Sequence, residues 1–120
     1  MIISIIKAAL KIGLNPYLLI GLCSTESDFN PRFGDNGKSK GICQVKRIAA
    51  VQVGLSYLDL NNHYNNALVA GKYLQWQYKR YGSEYCMISA YNAGYCTEKN
   101  RRYYNKVKQR MKKWKRILKD

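Results

Sequence analysis

The chain holds 21 Lys and Arg against only seven acidic residues, so the position of each carboxylate carries weight. One of them, Glu26, closes the apolar run YLLIGLCSTES. It lies three positions after Cys23 and four after Leu22, which puts it on their face of a helix. A carboxyl group against apolar neighbours has its pKa raised and holds a proton near neutral pH, as a general acid must. Taken alone, it reads first as a solvated Glu in a last helical turn, and only its company among the other motifs changes that. Asp28, two residues on, points off another side and reads as a surface residue. A further carboxylate, Asp35, sits in FGDNGKSKG, where Asp-Asn-Gly is good turn chemistry. His63 is the single histidine and stands in a polar linker, an incidental surface residue.

The elements that must position these groups are helices. A first helix over 1–12 stops at Gly13, and Asn15-Pro16 supplies an N-cap followed by proline at the first helical position. From Tyr17 the second helix is apolar nearly all round, which makes it the buried central one, ending before Asn30-Pro31. Residues 30–41 hold three Gly, one Pro and two Asn, hence a loop. A short helix is expected over 44–53, closed by Gly54, and then the polar linker SYLDLNNHYNN. Longer helices follow over 64–80, 84–93 and 101–118, with Gly82 and Gly94 as breaks. No alternating strand of convincing length is present, so the expected class is all-α, one domain over 1–120 with the last basic helix packed on it.

Composition narrows the partners. At 120 residues and 13.9 kDa, with 47% hydrophobic residues, the chain can bury a core. A net charge of +14 draws it to polyanions: nucleic acid, anionic lipid or an anionic wall. The basic run from Lys99 to Lys119 reads evenly as a solvated face or as a wall-attracting patch. The N-terminal MIISIIKAALKIG has helical periodicity, an interrupting Lys7, no basic leader and no small-residue cleavage site, so a chain made in a cytoplasm without its own export signal is expected. No run is long enough to span a membrane. Cys23, Cys43, Cys86 and Cys96 lack metal-ligand spacing, so no metal site is expected. Without an export signal, reduced thiols are the favoured state.

Three blocks, ESDFNP, GDNGKSKGICQV and ISAYNAG, taken in order, resemble the catalytic core shared by soluble lytic transglycosylases and goose-type lysozymes. NALVAGKYL from Asn66 and YYNKVKQRM near the end are similar to two further segments of that core, so the resemblance runs from Leu14 to about Met111. It has departures. Ile42 and Cys43 stand where the family has Leu and Met, Ala70 stands for a Gly, and Lys46 occupies the position of a goose-type acid.

The resemblance implies a lysozyme-like helical domain with a glycine-rich active-site loop and no cofactor. It implies Glu26 as the catalytic acid and base, acting on the β-1,4 bond between N-acetylmuramic acid and N-acetylglucosamine and leaving 1,6-anhydro ends. Asp35 matches an acid that positions water in goose-type enzymes, which keeps a hydrolytic muramidase as the alternative. Gln44, Tyr91 and Asn92 match cleft residues that can hold a carboxyl group and a saccharide. Ser27 is expected to anchor the neighbouring loop, and Gly41 and Gly94 to permit close backbone approach. Of the 11 Tyr, Tyr91 and Tyr95 are the expected sugar contacts, since aromatic rings suit the C–H faces of glycans. The implied partners are peptidoglycan glycan strands and, through charge, anionic wall polymers, with no nucleic acid and a monomeric state. Size and the missing signal suggest a phage-type lysin, released at host lysis or carried in the particle; export by other machinery, or a domain of a longer chain, stays open. A catalytically degenerate basic binding module is the more remote reading.

Overall fold

The computed structural model describes residues 1–31, 33–34, 37–55 and 60–119, with the side chain of Phe33 excepted. Among them are six α-helices: α1 (Ile2–Ile12), α2 (Pro16–Ser27), α3 (Arg47–Gln52), α4 (His63–Tyr81), α5 (Glu84–Ala93) and α6 (Arg101–Lys119). The all-α class is as expected. Helix α2 is the centre. Asn15 caps it by accepting the Tyr17 N–H, Pro16 opens it, and eight of its residues are buried. It ends where Asp28 and Phe29 take left-handed backbone, with φ of 52° and 61°.

Helix α6 is the main partner of α2, and α4 packs against α1 and α5. The α2–α6 approach is close because of Gly21. A Cβ there would stand 2.7 Å from Met111 Cγ and 3.0 Å from the Val107 carbonyl oxygen, so only glycine fits without displacement. Arg110 of α6 fastens the end of α2, donating to the Ser24 carbonyl and hydroxyl at 2.9 Å each and pairing with Asp28. Asp28 thus has a task beyond solvation: it ties the last turn of α2 to α6.

Three expectations need correction. Residues 44–46 are not helical. Gln44 has φ 49°, and a small antiparallel sheet joins β1 (Phe33–Gly34), β2 (Ser39–Lys40) and β3 (Val45–Lys46), with Lys40 opposite Val45. Strands of two residues are too short to show alternation. His63 begins α4, behind the Asn62 cap, rather than lying in a linker. The four cysteines form two disulfides, Cys23–Cys43 and Cys86–Cys96, not free thiols. Sequence spacing carries no information on which helix face a distant loop meets. No helix among the described residues is long and apolar enough to cross a membrane.

Candidate active site

Glu26 occupies the last turn of α2, half-buried, and the hydroxyl of Tyr103 on α6 donates to its Oε2. Burial, and then the negative charge of Glu26, push the Tyr103 phenol well above its ordinary value. Tyr91 is raised well above its ordinary value for the same two reasons in the same order, which also sets it within electrostatic reach of Glu26. Both phenols therefore stay protonated at neutral pH and act as donors.

The loop that faces this helix end is held at each residue from Lys40 to Gln44. Ser27 donates to the Ile42 carbonyl at 2.5 Å, the anchoring contact expected of it. Tyr91 donates to the Cys43 carbonyl at 2.6 Å, and the Cys43 N–H donates to Asn66 Oδ1 at 2.8 Å. With its sulfur bonded to Cys23, Cys43 has sulfur, N–H and carbonyl all engaged. The Asn66 amide also donates to the carbonyls of Lys40 and Leu60, at 2.9 and 3.0 Å. Gly41 makes room for that amide: its φ is +82°, and a Cβ would stand 2.2 Å from Asn66 Nδ2. Buried polar groups satisfied this fully make a rigid support.

Gln44 emerges from this support with its amide folded back, donating to the Gly41 carbonyl at 2.9 Å. Gln44, Lys46, Tyr73, Tyr91 and Gly94 line a cavity of about 250 Å³ between the loop and the end of α5. Lys46 bridges these walls, its ammonium donating to the Asn92 carbonyl at 3.1 Å. The Asn92 side chain is exposed and accepts from Asn100 at 3.2 Å. Glu26, Ser27, Gly41, Gln44 and Tyr91 thus gather around one loop, with Asn92 at its rim. Tyr95 is 57% exposed beyond the end of α5 and does not line the cavity. Asp35 lies outside the described residues.

Two residues of this site were not picked out as such from the sequence. Asn66 opened the quoted NALVAGKYL block, and Tyr103 sits in YYNKVKQRM, so in both cases the available signal was a motif without a role. The described residues contain no cluster of His, Cys, Asp or Glu that could hold a metal ion.

A helix-end Glu with a phenol on its carboxyl thus faces a loop whose buried polar groups are held in place. The family described as Transglycosylase SLT domain matches residues 3–116, and the chain belongs to that family. It is an enzyme of the lytic transglycosylase type that acts on peptidoglycan, and the cell wall is its place of action. No curated protein and no solved structure matches the chain.

Proposed function

We propose that the enzyme cleaves the β-1,4 bond between N-acetylmuramic acid and N-acetylglucosamine and closes a 1,6-anhydro ring on the muramoyl end. The observation that carries this reading is the Glu26 carboxyl at the end of α2, clamped by Tyr103 beside the Gln44 loop. Glu26 protonates the glycosidic oxygen as the C1–O bond breaks. The substrate's own N-acetyl oxygen attacks C1 and stands in for the second carboxylate of ordinary glycosidases. Glu26, now a carboxylate, removes the proton from the C6 hydroxyl; O6 attacks C1, the N-acetyl group is released, and Glu26 is again protonated. One group acting as acid and then base balances the protons without water.

Tyr103 holds the carboxyl in one rotation, and the Gln44 amide and Tyr91 supply the fixed polar wall against which the sugar is oriented. Lys46 weakens the hydrolytic alternative, because an ammonium stands where the resemblance places the second goose-type acid. The +14 charge attracts the enzyme to wall phosphates and carboxylates in a salt-dependent way. Two disulfides suit work in an oxidising compartment, in line with a released or particle-borne lysin.

Mass spectrometry of muropeptides released in ¹⁸O-water tests this. Anhydro ends without ¹⁸O are expected from the wild type, and Glu26→Gln should lower the rate by about 10³-fold. Reducing ends bearing ¹⁸O would make the enzyme a muramidase. A Glu26→Gln variant that clears wall suspensions at the wild-type rate would remove Glu26 from the chemistry.

A further inference from the structure

We infer that the last turn of α6 docks on a bilayer surface rich in anionic phospholipid, independently of the chemistry at Glu26. The inner stripe of α6 runs Tyr103, Val107, Met111, Trp114, at steps of three and four residues. Val107 is in the core and the other three pack against it. Leu118 continues that stripe and Ile117 stands beside it, but the body of the fold covers neither. Ile117 is 48% and Leu118 41% exposed, and every residue from Lys115 to Lys119 is exposed. The helix thus projects an apolar tip beyond the fold. Trp114, one turn back, is half-buried with its ring edge-on to Phe29, 5.5 Å between centroids, so the tip leaves the body at an aromatic contact.

Charge surrounds the tip. Lys112, Lys113, Lys115, Arg116 and Lys119 occupy the same stretch, and Asp120 is the one acid after Glu98. Among the described residues none of these five cations is in an ion pair. An occupant must satisfy both halves of this surface. A soluble polyanion, whether wall polymer or nucleic acid, would pair with the cations and leave Ile117 and Leu118 in water. A second copy of the chain would cover the apolar pair but set like charges against each other. A bilayer with anionic headgroups does both. Its phosphates meet the ammonium and guanidinium groups, and the acyl boundary takes the two aliphatic side chains. At about 100° per residue, Lys113 and Lys115 lie on either side of the pair. Their long stems let the charged ends stay at phosphate level while Ile117 and Leu118 go deeper. Two aliphatic side chains anchor weakly, which makes the docking reversible and dependent on salt.

Vesicle co-sedimentation at about 0.1 M salt tests this. The wild type should bind vesicles of equal parts phosphatidylglycerol and phosphatidylcholine and leave pure phosphatidylcholine vesicles unbound. Ile117→Ser/Leu118→Ser keeps every charge and should weaken binding about tenfold. Lys113→Gln/Lys115→Gln should weaken it about tenfold or more. Lys72→Gln/Lys79→Gln on α4, whose main neighbours are α1 and α5, should stay within about threefold of the wild type. Phosphatidylglycerol brominated on its acyl chains should quench the fluorescence of Trp114 in a Trp76→Phe protein.

Wild-type affinity in Ile117→Ser/Leu118→Ser overturns the proposal, since charge alone then holds the protein to the vesicle. Equal losses in the two lysine pairs do the same, because the attraction is then general rather than local. So does an unquenched Trp114 on bound protein, which would put another face against the lipid. A dimer in solution that Ile117→Ser/Leu118→Ser dissolves would assign the tip to a second copy and also overturn it. The quenching of Trp114 needs no change at the tip, and it decides the question even if the serine variant unfolds.

Discussion

The two disulfides invite comparison because they close loops of similar reach and sit in unlike surroundings. Cys23–Cys43 spans 20 residues and Cys86–Cys96 spans 10, so a chain-entropy account gives each about 3 kcal/mol. The Cys86–Cys96 bond braces a turn that hydrogen bonds already hold. Thr97 accepts from Tyr85 at 2.5 Å and exchanges bonds with Ser89, while the Cys96 N–H donates to Tyr81 at 3.2 Å. Cys23–Cys43 instead joins α2, one turn before Glu26, to the residue that precedes Gln44. Equal stabilisation therefore does not mean equal consequence. One bond fixes a turn, and the other sets the distance between Glu26 and Gln44, the two groups that the proposed mechanism brings to one substrate.

Removing both cysteines of each pair breaks the comparison open. Cys23→Ala/Cys43→Ala should lose about 3 kcal/mol of stability and about 10²-fold in kcat, measured by urea melts and by muropeptide release. An unchanged kcat there would make the bond a mere staple. Tyr103→Phe sharpens the catalytic side by leaving both disulfides in place. It should lower kcat about tenfold and move the alkaline limb of the pH–rate profile upward, because a hydrogen bond to the charged carboxylate favours ionisation and is lost, so that the acid form persists to higher pH.

Cys86→Ala/Cys96→Ala comes next, with a similar loss of stability in urea but kcat within about twofold of the wild type. The smallest effect concerns alkaline stability. Tyr73, Tyr91 and Tyr103 have folded pKa values above their ordinary ones, so below pH about 10 both states are protonated and stability is full. Above it the unfolded chain loses those protons first, and Tm should fall with rising pH, less steeply in Tyr103→Phe. A Tm that holds level from pH 9 to 11 contradicts the burial of these phenols.

Much of the fold was legible because its signals are local. Gly13, Gly82 and Gly94 end helices in left-handed conformation, and Asn15 caps α2, as their residue types imply. Glu26 could be singled out because an acid at the end of an apolar run is rare in so basic a chain. The remainder depends on long-range encounters. Cys43 meets Cys23, and Tyr103 meets Glu26 across 77 residues, only after α2 and α6 have packed. QVKRIAAVQV has good helix formers and so predicts a helix from Gln44; pairing of Val45–Lys46 with Ser39–Lys40 overrides that propensity.

The close approach at Gly21 has a last consequence. It presses α6 onto α2, so one rigid rod carries Tyr103 and Arg110 inward and most of its other lysines and arginines outward. On the proposed reading, adhesion and acid–base chemistry are thereby welded into a single lever. Wherever electrostatic attraction seats that rod, the orientation of Glu26 relative to the seated surface is already chosen, and a chain cut before Arg101 would forfeit the grip and the proton clamp in one stroke.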